Sequence, residues 1–197
     1  AAATNPIGTL YVAFQSTATD LVGADTNGVM DVFRAAVELR AEEDATGTPT
    51  AGALNLRAAG GSTILVSAQN GGSTVANGAS GRPSIGGAHG EMIAFESVAT
   101  DLTAGFTDTN GPGANDVYVR DTDINATTLL SHAVGNAATG GSGASEAPAI
   151  DTTGVVVAFE SDSSDLIALD ANSVRDIYYA RVDAGSPYTK VRASVTG

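Results

Sequence analysis

The chain has 197 residues, with 22 Asp and Glu against 9 Lys and Arg, for a net charge of −13. This balance argues against nucleic-acid and anionic-membrane partners, which bind through cationic side chains, and it favours solubility and cations. There is no cysteine, so disulfides and thiolate metal sites are excluded. No apolar run approaches the roughly 20 residues of a membrane helix, so no membrane span is expected.

One five-residue phrase occurs three times along the chain. Its copies are Val12-Ala-Phe-Gln-Ser16, Ile93-Ala-Phe-Glu-Ser97 and Val157-Ala-Phe-Glu-Ser161. An Asp-Leu pair, an acidic turn and an apolar strand follow each copy. A period of about 65 to 80 residues indicates a tandem array of one repeated unit. We therefore predict a single repeat array over residues 1–197, with unit 1 at about 1–80, unit 2 at about 81–146 and unit 3 at about 147–197.

Each unit contains four short strand candidates joined by turns, and helical periodicity is not evident. The first candidate is a Pro-x-Ile segment at Pro83 and Pro148, with Pro6-Ile7 as a contracted version in unit 1. The repeated phrase is the second, and the third begins at the last Asp of the acidic turn. The fourth candidates are residues 63–67, 128–132 and 190–194. The pattern predicts an all-β fold of three four-stranded antiparallel sheets.

Two kinds of connecting segment interrupt this pattern. Stretches rich in Gly, Ser, Asn and Ala at residues 69–82 and 135–147 follow the fourth strands of units 1 and 2. We interpret them as ordered connections that cross from the outer edge of one sheet to the inner edge of the next, rather than as flexible linkers. Unit 1 also carries an insertion, residues 38–61, with Glu42-Glu43-Asp44 at its centre. We expect it to extend the hairpin between the third and fourth strands.

The acidic turns carry the residues with the clearest chemistry. Carboxylate, amide and backbone oxygens are the ligands that Ca²⁺ takes in proteins. In the first turn Asp25, Asn27 and Asp31 can bring three side-chain oxygens around one point, and Gly28 gives the backbone freedom to curl. The corresponding residues of the other turns are Asp108, Asn110 and Asp116, and then Asp170, Asn172 and Asp176. These nine residues are the predicted metal ligands, and Ca²⁺ is the expected ion.

The same turns have a second explanation that needs no ion. Asn-Gly favours a hairpin turn, and an Asp or Asn before it bonds its own backbone. That explanation accounts less well for the closing Asp, which begins an otherwise apolar strand in all three units. Pro112-Gly113 lengthens the second turn, and Ser173 replaces the glycine of the third. The second turn is therefore expected to bind an ion differently or not at all.

No group of residues in the sequence forms a catalytic constellation. His89 and His132 fall at different repeat positions and lack the spacing of metal ligands. Glu96 and Glu160 share one repeat position, which Gln15 occupies in unit 1. A carboxylate pair for acid and base catalysis is conceivable, but the repetition favours a structural role. A nucleophile elbow and a phosphate-binding loop are both missing, so we predict that the chain is not an enzyme.

Taken together, the Pro-x-Ile, Val-Ala-Phe-x-Ser, Asp-Leu and Asp-Thr-Asn-Gly segments resemble the WD40-like (PD40, TolB-type) β-propeller repeat. The similarity is greatest to the secreted bacterial form with an acidic turn in each blade. It covers nearly the whole chain except the insertion, and it implies propeller blades. Closed propellers typically use 4 to 8 blades, so three blades leave two sheet faces uncovered. A fragment of a longer propeller, a six-bladed ring of two chains and an open assembly of copies remain as alternatives.

These observations lead to two functional hypotheses. The first is an extracellular or cell-surface structural protein, stabilised by Ca²⁺, that assembles with copies of itself as a homo-oligomer or homopolymer, in a ring or a filament. The second is a binding platform within a longer secreted propeller, with a polysaccharide or peptide ligand. The low lysine content and the abundance of Thr, Ser, Gly and Asn fit secretion. A secretory signal pattern is missing at the first residues, so a secreted chain would be a mature form.

Overall fold

The computed structural model describes residues 6–41, 56–168, 170, 174–182 and 190–194. In these ranges the regular elements are β-strands, arranged in three antiparallel sheets that follow one another along the chain. The all-β prediction is therefore confirmed. The described residues do not form a closed propeller ring. They also include no helix of the length and apolar character that a membrane crossing requires.

The strands of each sheet pair in chain order, so each sheet is a simple meander. Sheet 1 contains β1 (Pro6–Ser16), β2 (Asp31–Ala41) and β3 (Leu56–Leu65). Sheet 2 contains β4 (Ser80–Gly86), β5 (Met92–Ser97), β6 (Asp116–Asp121) and β7 (Ala126–Leu129). Sheet 3 contains β8 (Ser145–Ile150), β9 (Val156–Ser161), β10 (Asp176–Arg181) and β11 (Lys190–Arg192).

The prediction of four strands in every unit is wrong for unit 1, whose described sheet has three. Pro6-Ile7 does not form a separate first strand but continues into β1. The insertion supplies the physical reason, because it lengthens β2 and β3 until their ladder reaches Ala41 opposite Leu56. The longer β2 pairs with β1 as far as Pro6 opposite Arg40. The centre of the insertion, including Glu42-Glu43-Asp44, lies outside the described residues.

The repeated phrase forms the strand before the acidic turn in each sheet, and its Phe stacks on an aromatic residue of the next strand. Ring centroids are 5.6 Å apart for Phe14 and Phe33, and 5.9 Å apart for Phe95 and Tyr118 and for Phe159 and Tyr178. Such cross-strand pairs stabilise a sheet beyond the area they bury. The aromatic position of the phrase therefore serves the same packing role in all three units.

Successive sheets pack face to face through two apolar cores. We call the face of a sheet that contacts the following unit its forward face, and the opposite one its backward face. The first core joins the forward face of sheet 1 (Ala13, Val32, with Val66 after β3) to the backward face of sheet 2 (Ile93, Phe95, Tyr118, Leu129). The second joins the forward face of sheet 2 (Ala94, Val117, Val119, with Leu130 after β7) to the backward face of sheet 3 (Val157, Phe159, Tyr178, Ala180). The two junctions thus share most of their repeat positions.

A polar contact is also repeated at both junctions. Gln15 Oε1 accepts a hydrogen bond from the backbone N–H of Arg82 over 2.7 Å, and Glu96 Oε2 accepts one from Ala147 over 3.0 Å. Arg82 and Ala147 precede the prolines of β4 and β8, and both have left-handed backbone with φ of 46° and 53°. Each lies in an irregularity of the strand ladder. The bulge exposes the N–H that the preceding sheet binds.

The long connections are ordered crossovers, as the sequence predicts. The first crossover, residues 66–79, joins sheet 1 to sheet 2, and the second, residues 130–144, joins sheet 2 to sheet 3. Asp101 accepts hydrogen bonds from Asn77 N over 2.9 Å and from Gln69 Nε2 over 2.8 Å. In the next unit Asp165 accepts one from Ser142 N over 2.8 Å. In units 2 and 3 the Asp of the Asp-Leu pair therefore holds the crossover that enters its own unit.

Arg120 of β6 fixes the first crossover from the inside. Its guanidinium donates to the carbonyl oxygens of Gln69 and Gly72, and to Thr127 Oγ1 over 2.8 Å. The side chain is almost completely buried, and burial lowers its pKa. A buried cation of this kind is stable only when most of its donors are used. The crossover carbonyls accept from both terminal nitrogens, while Nε has no partner.

Candidate functional site

The last Asp of each acidic turn is bound by a serine that follows the last strand of the same sheet. The pairs are Ser67 with Asp31 (2.6 Å), Ser131 with Asp116 (2.7 Å) and Ser194 with Asp176. In each pair the serine Oγ donates to Oδ1 of the carboxylate and accepts the N–H of the residue after that Asp. The repeated pair fixes one oxygen of the carboxylate and leaves Oδ2 for another partner.

In the first turn two buried carboxylates lie close together without enough donors. Asp25 is 3% exposed, and neither of its carboxylate oxygens has a hydrogen-bond partner. Asp31 is fully buried, and its Oδ2 also lacks a partner. Burial raises the pKa of Asp31, the hydrogen bond from Ser67 and the nearby amide of Asn27 lower it, and the charge of Asp25 raises it again. Buried anions without donors are costly, so this turn is suited to a cation.

Asn27 and Gly28 of the first turn have the contacts and backbone conformation expected of a hairpin turn that binds no ion. Asn27 Oδ1 accepts the N–H of Val29 over 3.0 Å, and Asn27 Nδ2 donates to Ala76 O in the first crossover over 2.9 Å. Gly28 has a φ of 71°, the left-handed conformation that favours glycine. The explanation without an ion therefore accounts for Asn27 and Gly28 but not for the bare carboxylate of Asp25.

The second turn satisfies more of its own polar atoms. Asp108 is exposed, and its Oδ1 accepts the N–H groups of Asn110 and Gly111, both over 3.1 Å. Asn110 Nδ2 donates to Asn115 O over 3.3 Å and lies 3.5 Å from Asp116 Oδ2, while Asn110 Oδ1 is buried without a partner. Burial raises the pKa of Asp116 to about 7, although the bond from Ser131 lowers it. Only part of this turn is available to an ion.

In the third turn an arginine lies between the two carboxylates. Arg192 Nη1 is 3.1 Å from Asp170 Oδ1 and 3.4 Å from Asp176 Oδ2. The hydroxyl of Tyr178 donates to Asp170 Oδ2, so both oxygens of Asp170 have a donor. The predicted ligand Asn172 lies outside the described residues.

A ligand count shows what the first turn could hold. Within residues 6–41, 56–168 and the shorter described segments, no three Asp, Glu or His side chains converge into a metal-binding group. Ca²⁺ takes six to eight oxygen ligands and accepts backbone carbonyls, amide oxygens and water among them. Asp25 and Asp31 supply three oxygens that lack donors. The residues present therefore fit a hard cation whose remaining ligands are carbonyls and water.

The other residues considered from sequence have structural partners. Glu96 forms an ion pair with Arg82 at 3.5 Å beside its bond to Ala147, and a shallow cleft between sheets 1 and 2 is lined in part by this pair. Glu160 pairs with Arg175 at 3.4 Å. His132 is buried and binds Lys190, whose Nζ donates to His132 O over 2.6 Å. These contacts connect units or strands, and none of them pairs a nucleophile with a base.

Sequence reasoning missed the serines and the arginine that complete these turns. In the sequence Ser67, Ser131 and Ser194 are visible only as members of the fourth-strand candidates. Arg192 stands where the other units have Leu65 and Leu129, each opposite the stacked aromatic residue of the neighbouring strand. That change from an apolar residue to a cation at one repeat position is the sequence feature that could have indicated the different third turn.

Comparison of the chain with family models, with curated proteins and with solved structures finds no match in any of the three.

Proposed function

We propose that the chain is a non-enzymatic structural protein that assembles head to tail with copies of itself, and that a cation, Ca²⁺ in the first instance, stabilises its acidic turns. The observation that supports assembly is a difference between equivalent residues. Val32 and Val117 occupy the same position on the forward faces of sheets 1 and 2, and both are fully buried. Ile177 occupies it on sheet 3 and is 39% exposed.

The centre of the forward face of sheet 3 is apolar in the same way. Tyr179 of β10 pairs with Ala158 on one side and with Val191 on the other, so the three side chains cross the sheet in a row. Val191 is also among the exposed large apolar residues. In sheet 2 the residues equivalent to Ala158 and Tyr179 are Ala94 and Val119, and both are covered by sheet 3. The face is built to receive another sheet.

The backward face of sheet 1 is the complementary surface, and it is covered only in part, because Phe33 is fully buried there with Val22 and Val75 packed against its cluster. It carries Leu10, Val12 and Phe14, of which the first two are exposed. Leu21 of the first Asp-Leu pair is exposed as well, whereas Leu102 and Leu166, its equivalents, are buried at the two junctions. A second copy of the chain therefore has the surface that matches the forward face of sheet 3. The backward face of its sheet 1 carries apolar residues at the repeat positions through which sheets 2 and 3 contact the preceding sheet inside the chain.

The charge of the chain connects assembly with cation binding. Copies with a net charge of −13 repel one another, and a bound divalent cation reduces that repulsion. The unpartnered oxygens of Asp25 and Asp31 support the first turn as the place for the ion. Extracellular location remains part of the proposal, carried by the composition alone.

Complementary face variants test the assembly. Val12→Asp damages the backward face, and Ile177→Asp damages the forward face. Ile124→Asp is the matched control, because Ile124 is 70% exposed in the turn between β6 and β7. Sedimentation velocity over a concentration series should show polymers for the wild type and the control, and monomers for each face variant. An equal mixture of the two face variants should give dimers only, because each retains one intact face.

The head-to-tail proposal fails if the wild type stays monomeric with and without Ca²⁺, or if the mixture does not dimerise. Monomers would favour the second function, a ligand-binding module of a longer propeller. One observation supports that alternative: β1 is an edge strand of a three-stranded sheet, where a fourth strand from elsewhere could pair.

A further inference from the structure

The third turn differs from the first in how its carboxylates are neutralised. Asp170 and Asp176 are both about as buried as their counterparts Asp25 and Asp31, with side chains 2% exposed. Yet Arg192 and Tyr178 donate to Asp170, while Arg192 and Ser194 donate to Asp176. All four carboxylate oxygens of the third turn therefore have a donor. In the first turn only Asp31 Oδ1 accepts a hydrogen bond, and the other three carboxylate oxygens have no donor.

Two substitutions between the units produce this difference. Leu65 of unit 1 pairs with Phe33 across the strands, and Arg192 of unit 3 pairs with Tyr178 at the same place. The change from Phe to Tyr adds a hydroxyl donor. The change from Leu to Arg adds a fixed positive charge, because a guanidinium is not deprotonated in proteins. Neither donor is present in unit 1, where Asp25 stays bare.

We propose that Arg192 takes the place of the cation in the third turn, so that this turn is closed to metal ions and the third unit is stable without them. The inference rests on the proposed cation binding at the acidic turns and specifies which of them bind. The guanidinium lies between the two carboxylates, where a bound ion would have to contact both. An ion could enter only by displacing it, at the cost of leaving a buried arginine unpaired.

The chain therefore has unequal turns. The first turn, with no protein cation and a bare Asp25, is the strong site. The second turn is weaker, because Asp108 is exposed and spends Oδ1 on backbone N–H groups. The third turn holds its own cation. Calcium thus acts at the beginning of the array, while the sheet that carries the free forward face is independent of it.

Removal of the arginine should open the third turn. Isothermal titration of Arg192→Leu with Ca²⁺ should show one more binding site than the wild type, because leucine is the residue of the other two units. Arg175→Leu is the matched control, since it removes one positive charge from the same unit without touching Asp170 or Asp176. The control should leave the number of sites unchanged.

A second readout places the new ion. Tb³⁺, a luminescent substitute for Ca²⁺, is sensitised by a nearby tyrosine, and Tyr178 contacts Asp170. Tyrosine-sensitised emission should therefore rise in Arg192→Leu and not in Arg175→Leu. The double variant Arg192→Leu with Asp170→Asn lacks both the arginine and one carboxylate, and it should lose the added site and the emission.

The outcomes separate this inference from the wider proposal. If Asp25→Asn does not reduce the wild-type binding, cation binding at the first turn is wrong, whatever Arg192 does. If Arg192→Leu gains no site, or if Asp170→Asn alone removes a wild-type site, Arg192 is not a substitute for the cation. Should Arg192→Leu unfold without Ca²⁺, recovery of its folded circular dichroism by Ca²⁺, with no recovery for the double variant, supports the inference. Failure of Ca²⁺ to refold it contradicts the inference.

Discussion

Strands β6 and β10 have the same position in their sheets but very different environments. Val117 and Val119 of β6 are buried, whereas Ile177 at the first of these positions in β10 is exposed. The backward residues of the two strands, Tyr118 and Tyr178, are equally buried. The difference lies entirely on the forward side, where sheet 2 has a successor and sheet 3 does not. The burial of a residue in this fold therefore depends on whether another sheet packs on its face, as well as on its position in the strand.

The largest expected effect comes from the aromatic residue of the repeated phrase. Phe95→Ala removes a ring that is fully buried between sheets 1 and 2 and should reduce the free energy of unfolding by about 3–5 kcal/mol. Phe14→Ala removes the equivalent ring, which is only partly buried on the backward face of sheet 1, and should cost less than about half as much. Urea unfolding of dilute, monomeric protein measures both losses. Equal losses would mean that sheet 1 is covered in the monomer.

A smaller effect is expected at the Asp that holds each crossover. Asp101→Ala removes the acceptor for Asn77 N and Gln69 Nε2 and should cost about 1–2 kcal/mol, because two donors lose their partner. Asp20 has the same repeat position in unit 1, where the described residues provide no crossover. Asp20→Ala should therefore stay within about 0.5 kcal/mol of the wild type. Thermal unfolding of the two variants side by side compares them. A similar loss at Asp20 would contradict the assigned role.

The smallest expected effect concerns the second junction and depends on pH. Burial lowers the pKa of Lys190 to about 7, while Asp165 acts in the opposite direction. Between pH 7 and the ordinary lysine value of 10.5 the unfolded chain binds more protons at this residue than the folded chain does. Stability contributed through Lys190 should therefore rise with pH in this window.

The variant Lys190→Met removes this titration. From pH 7 to pH 9.5 the melting temperature of the wild type should gain a few degrees relative to that of the variant. Arg175→Met serves as the control, because Arg175 lies in an exposed ion pair with Asp162 and stays charged throughout the range. Parallel melting curves for the wild type and Lys190→Met would show that Lys190 is not desolvated in solution.

Local sequence patterns were sufficient for the strands that the repeat defines. The phrase at residues 93–97 and its sequel predicted β5 and β6 because apolar, β-branched residues stood between turn signals. Pro6-Ile7 was assigned by analogy to Pro83 and Pro148, and the analogy failed. Its pairing was decided by the lengthened β2 and β3, which are distant in sequence. Neither the strand propensity of Pro6-Ile7 nor its repeat position carries information about this long-range pairing.

The candidate site was predictable only in part for the same reason. The acidic residues of each turn are adjacent in sequence, so their clustering could be inferred from spacing. Arg192 reaches Asp170 of the turn from β11, 22 residues further along the chain. Asp101 meets Asn77 from a distance of 24 residues. Partners of this kind become visible only when strand register and crossover path are known.

The bulge before the proline of β4 and β8 has a consequence for the geometry of any assembly. Arg82 and Ala147 fix the sheet that they begin to Gln15 and Glu96 of the sheet before, in the same way at both junctions. Equal contacts define an equal step, and an equal step repeated without end traces a single screw axis. The rotation and rise from sheet 1 to sheet 2 would then set the symmetry of the polymer. A step without rise leads to a ring, and a step with rise leads to a helical filament whose pitch equals the one defined by the sheets of a single chain.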